Sequence, residues 1–166
     1  MATIGKPVAR QPRSLYRRRM TLPRYERLPG SPDEVVFRAH GPTRMELFEH
    51  AAEAMFSVGR DLGVIPSTYS RPLVAPGDTF EELLVNWLEE LLHLGDVEAM
   101  VWSSCMVDRL EVGGVQGSAS GQPASTVAPA GPTVIAVAGL GTDIVALPEG
   151  WWVDVAFVVD GGLRVV

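Results

Sequence analysis

A carboxylate and an imidazole three or four residues apart on a helix can clasp one metal ion, and this chain offers that spacing in one place. Glu90 and His93 stand at i and i+3, and Glu89 and His93 at i and i+4, the pattern by which helical bundles present carboxylate–histidine ligands. No second such pair occurs, and the three residues fall opposite the apolar positions of their own segment, so the spacing reads as a solvated helix face. His50, beside Glu46 and Glu53, belongs to another polar face by the same reasoning. Cys105 is the single cysteine; with no cation near it in sequence to favour the thiolate, it reads as a small core residue rather than a nucleophile. Gly139-Leu140-Gly141-Thr142-Asp143 has two glycines of a phosphate loop but neither the third nor a following helix, and a hairpin turn accounts for it. No serine has the surroundings of a nucleophile elbow. Residue types and spacing alone therefore give no enzyme signature.

The elements that must position these residues are more legible. Over 79–95, Thr79 followed by Glu82 makes a capping box. Phe80, Leu83, Leu84, Trp87, Leu88 and Leu91 recur at helical spacing, and Gly95 is expected as the left-handed stop. Thr43 with Glu46 starts a second helix whose buried stripe is Phe48, Ala51, Ala52, Met55, Phe56 and Leu62. Short strands are expected over 25–28 and 35–39, separated by Pro29-Gly30-Ser31-Pro32, and over 73–75, 133–138 and 144–147, while 99–106 and 107–112 read as two strands or one long bent one. In the last strand, 151–160, the odd positions are apolar and face the core, while Asp154 and Asp160 share the other face. Residues 112–132 are rich in Gly, Ser, Ala and Pro and read as a flexible loop. Helices enclosed by strands define an α+β fold, with two helices on one side of a mostly antiparallel sheet.

Composition frames this as one domain. The 166 residues are 46% hydrophobic, enough for a core without disulfides or a structural metal. A lone cysteine fits a reducing cytoplasm, and no apolar run reaches the roughly 18 residues that span a bilayer. Charge is uneven: residues 1–22 hold six Lys or Arg and no acid, whereas the other eight basic residues face all twenty acids, leaving −12 on the body. The leader is expected to be disordered and the domain to occupy 23–166. Direct RNA binding by so acidic a body is disfavoured, because phosphate contacts dominate nucleic-acid affinity.

The words of the 79–95 helix, Thr-Phe-Glu-Glu-Leu-Leu-Val-Asn-Trp-Leu-Glu-Glu-Leu-Leu-His-Leu-Gly, closely resemble the second helix of the archease family. Archeases assist the RNA-splicing ligase that joins ends through a guanylylated histidine. Tyr25-Glu26-Arg27-Leu28, Asp33, Gly41 and the run over 43–62 resemble the family's first strand, acidic turn and first helix, and 151–160 resembles its closing strand, so roughly 25–160 are covered. The resemblance implies a strand-helix-strand-strand module with an insertion. It also implies a non-enzymatic accessory protein with a ligase as partner, nucleotide met only through that ligase, and RNA only indirectly.

What the resemblance implies for a site is a pair of carboxylates. The family's acidic turn and closing strand each carry an aspartate expected to share a divalent cation, and Asp33 and Asp160 occupy those positions. Carboxylates from distant segments repel unless a cation or proton lies between them, and oxygen ligands select calcium or magnesium. Elsewhere the chain departs: Gly121-Gln122 stands for a glycine-glutamate motif, and Ile135-Ala136-Val137-Ala138-Gly139-Leu140 stands where the family has lysine, tyrosine and histidine. A degenerate interaction module without metal or nucleotide is the alternative reading. A small metal-dependent phosphohydrolase is a third, for which a general base and further ligands are wanting.

Overall fold

The computed structural model describes residues 22–160; the expected basic leader, except Leu22, lies outside them. Eight strands and two helices follow in the order β1 (Tyr25–Ser31), β2 (Glu34–Gly41), α1 (Arg44–Ser57), β3 (Tyr69–Gly77), α2 (Phe80–Glu98), β4 (Met100–Glu111), β5 (Gly113–Pro123), β6 (Thr133–Leu140), β7 (Val145–Leu147) and β8 (Gly150–Asp160). All pairings are antiparallel. The α+β class and the two helices match the sequence expectation. The strands divide, however, between two sheets: β1-β2-β8-β6, with β7 also on β8, and β3-β5-β4.

Both helices start as their capping boxes dictate. Thr43 Oγ1 accepts from the Glu46 amide at 3.1 Å, and Thr79 Oγ1 from the Glu82 amide at 3.1 Å. Helix α1 packs on β2 and β8 on one side and on β4 on the other; α2 packs on β3, β4 and β5 and also on β6. The helices thus fill the space between the two sheets. A helix covered from both sides must be apolar over more than one stripe, and α1 adds Leu47 and Ala54 to the predicted buried set, while Leu62 falls past its end in a separate short turn and is not buried. In α2, Leu83, Leu84, Trp87, Leu88 and Leu91 are all buried, as the periodicity predicts.

Two expectations change. Residues 112–132 are not one flexible loop, since 113–123 form β5, the central strand of its sheet. Val115, Gly117, Ala119 and Gly121 alternate as buried positions, a strand period written in residues too small for apolar periodicity to register. The glycines are demanded by backbone approach: a Cβ on Gly117 would lie 2.0 Å from the Met106 carbonyl oxygen, and one on Gly121 1.9 Å from that of Val101. These contacts sit near the two β4 bulges, at 102–104 and 107–109, where an extra residue crowds the partner strand. Gly95, second, does not end its helix. The helix runs to Glu98 and Ala99 takes the left-handed turn at φ 54°. Gly95 instead makes room for Trp102, whose Nε1 would stand 3.0 Å from an added Cβ and donates to the Leu91 carbonyl at 3.1 Å.

Candidate functional site

The β2–β8 ladder sets the backbone positions of the two predicted aspartates. Ser31 pairs with Glu34 across the β1–β2 hairpin, leaving Pro32-Asp33 as its turn, and Ser31 Oγ accepts from the Glu34 amide at 3.2 Å. Glu34 is opposite Val158, and the Val159 amide donates to the Asp33 carbonyl at 2.9 Å. The Asp33 backbone therefore falls beside the final residues of β8, and Asp160 pairs on that strand's other side with Thr133 of β6. Both aspartates are exposed. Two segments 127 positions apart in sequence converge on one end of the sheet. Among the described residues no group of three His, Cys, Asp or Glu is placed to hold a metal, so this pair would supply only part of a hard-cation shell, which takes six or more oxygens.

The other candidates separate into surface and support. Glu89 and His93 are exposed on α2 and Glu90 half-exposed, a solvated face. His50 instead reaches inward and donates from Nδ1 to the His40 carbonyl at 2.6 Å. Cys105 is half-buried against the core, its thiol directed at the Glu49 carbonyl at 3.8 Å; burial, with Glu49 and Glu53 adding to it, pushes the thiol well above its ordinary range, and an unreactive thiol is the consequence. Gly139 and Leu140 close β6, and Gly141, whose amide donates to the Asp154 carbonyl at 2.8 Å, starts the link to β7; β6 and β7 both pair with β8 and not with each other, so this segment is not the hairpin turn expected.

Several polar groups that no sequence pattern announced are built into this framework. Glu49 on α1 accepts from the Val107 amide at 2.8 Å, satisfying a donor that the nearby β4 bulge leaves out of the ladder; desolvation raises the carboxyl above its ordinary value while this bond opposes the rise. Arg38 and Asp154 face each other across β2 and β8 in a two-pronged pair at 2.7 and 3.0 Å, with the guanidinium also 4.1 Å from the centre of the Trp152 ring. Arg44 lies 4.0 Å from the Phe80 ring centre and 4.2 Å from that of Trp151. Each of the three arises from strand register or helix placement, and none is visible as local spacing.

The fold is that of a small α+β domain with both helices enclosed between antiparallel sheets. Within it, the model of the Archease protein family (MTH1598/TM1083) matches residues 25–160, and the chain belongs to that family. "Protein archease" of Methanosarcina barkeri is 41% identical over 86 residues, covering 52% of this chain and 58% of that protein. "Protein archease" of Methanosarcina acetivorans is 38% identical over 87 residues, covering 52% and 59%. The aligned stretches thus span less than two thirds of these relatives. The solution structure of Methanobacterium thermoautotrophicum protein 1598 superposes with a TM-score of 0.69 at 24% identity, over 81% of this chain and 98% of that one, and shares the fold. No helix among the described residues is long and apolar enough to cross a membrane.

Proposed function

We propose that this chain is an accessory protein of an RNA-splicing ligase, assisting its guanylylation or turnover without performing the chemistry, in the cytoplasm. Family membership supports the partner, and one observation supports the site: the Val159 amide bonds the Asp33 carbonyl one residue before Asp160. On this reading Asp33 and Asp160 supply the anionic half of a calcium or magnesium site. Water, or oxygens of the ligase and its nucleotide, completes the shell, so the end of the sheet is where ligase and cation would be read together. With −12 on the body, RNA is met through the ligase.

The test is a cation titration followed by a reconstituted ligation assay. Calcium or magnesium at about ten times Kd raises stability by about 1.4 kcal/mol through mass action, and Asp33→Ala or Asp160→Ala erases that response. The same substitutions lower ligase guanylylation while ligase binding persists, because the rest of the domain supplies most of the docking surface. Wild-type protein that ignores cations and leaves its ligase unstimulated sinks the reading. That outcome favours the interaction module without metal or nucleotide, which one observation already supports: β6, the strand beside Asp160, carries no ionisable side chain from Thr133 to Leu140.

A further inference from the structure

At the far end of β2 and β8 from the aspartates, some seven residues or roughly 23 Å away at strand rise, lies a groove of about 280 Å³. Its apolar walls are Leu22, Pro23, Pro42, Leu147 and Trp151. Leu22 is 43% exposed, and Leu147 and Trp151 are only half-buried, so apolar surface there is left against water. The charge at the lining is unbalanced. Arg24 is held by both Glu53 oxygens at 2.9 and 3.2 Å, whereas exposed Glu149 enters no ion pair among the described residues. An occupant that suits this groove therefore brings apolar side chains next to positive charge.

The chain itself supplies such a segment. Residues 1–21, which lead directly into the groove wall at Leu22, hold six Lys or Arg and no acid. Within them Leu15 and Tyr16 stand immediately before Arg17, Arg18 and Arg19. Six steps of chain separate Tyr16 from Leu22, up to about 20 Å when extended, which is ample to return across a groove of this size.

We infer that the leader folds back and docks in this groove, with Leu15 and Tyr16 against Leu147 and Trp151 and the arginine run at Glu149. A segment too polar to bury a core of its own orders when another surface supplies the apolar contact. Tethering at the groove's own wall presents the leader at an effective concentration on the order of millimolar. A second copy has no such advantage, and it would bring another body of charge −12 to an acidic rim. The apolar contact carries most of the docking and the arginines set its direction, because an exposed ion pair contributes little by itself. This surface is distinct from the aspartate pair and does not depend on it.

The test uses the full chain with Ser14→Cys and Cys105→Ala, a nitroxide attached at position 14, and NMR at low salt. Signals of Leu147, Gly150 and Trp151 are quenched relative to the reduced label, and equally so on dilution of the protein. They are not quenched when the spin-labelled chain is mixed with isotope-enriched chain that lacks the label. Leu15→Ser combined with Tyr16→Ser restores the intensities, and Glu149→Lys lowers the ratio of docked to free leader about threefold, the factor for one exposed charge contact. Should the Cys105→Ala chain fail to fold, amide hydrogen exchange over 149–151 in the chain with its native cysteine decides: it is faster in the Leu15→Ser, Tyr16→Ser variant than in wild type, and equal rates overturn the inference. So does the absence of quenching at this end of the sheet, quenching that survives the double substitution or ignores Glu149→Lys, or quenching only between chains, which marks a second copy as the occupant.

Discussion

Trp87 offers the sharpest test of how the two sheets are held together. It is the largest fully buried side chain in the molecule, at 0% exposure on α2, and its indole N–H has no hydrogen-bond partner. Two substitutions separate these facts. Trp87→Ala removes the whole ring from a helix enclosed on both sides, so neighbours cannot collapse into the space, and the cost is about 3–5 kcal/mol. Trp87→Phe keeps a ring in place and discards only the part bearing the unpaired N–H. Lost packing of about 1–2 kcal/mol is then offset by relief of an unsatisfied buried donor worth about 1–3 kcal/mol, and the net change stays within about 1 kcal/mol. Urea unfolding followed by circular dichroism measures both, with an unchanged m-value as the check that the same two states are compared. A Phe variant as unstable as the Ala variant would refute the reasoning, since it would mean the N–H is paired or the pyrrole edge carries the packing.

Gly117→Ala in β5 is expected to cost about 3 kcal/mol or more, because its Cβ would sit 2.0 Å from the Met106 carbonyl oxygen and backbone must move; thermal unfolding checks it, and the exposed Gln116→Ala next to it should stay within about 0.5 kcal/mol. Glu49 gives a pH signature. Its folded pKa is raised, chiefly by desolvation, so its contribution is most favourable while the carboxyl is protonated in both states, below the ordinary Glu value, and declines as pH rises through the folded value. Glu49→Gln keeps an acceptor for the Val107 amide and removes that decline, whereas Glu49→Ala strands the amide at about 1–3 kcal/mol; denaturant midpoints between acid and neutral pH separate the two.

The sequence by itself determined the helices and most strand positions, because those are written in local terms. A Thr-x-x-Glu box satisfies the free amides of a helix start whatever surrounds it, and the spacing of Leu83, Leu84, Trp87, Leu88 and Leu91 names the buried face without naming its neighbour. The last strand's alternation likewise identified Val153, Val155, Phe157 and Val159 as core. Family words pointed to Asp33 and Asp160, which no local spacing links. What tertiary structure decided is everything that depends on distant backbones meeting. That β5 is a central strand follows from the close approach of β4, which only glycine permits, so the composition that suggested a loop is the one a crowded strand needs. That Gly95 accommodates Trp102 rather than ending a helix, that the Asp33 backbone lies beside the end of β8, and that His40 Nδ1 is buried without a hydrogen-bond partner are likewise consequences of register and enclosure. Such pairings are non-local, and their energies act only once the chain has closed on itself.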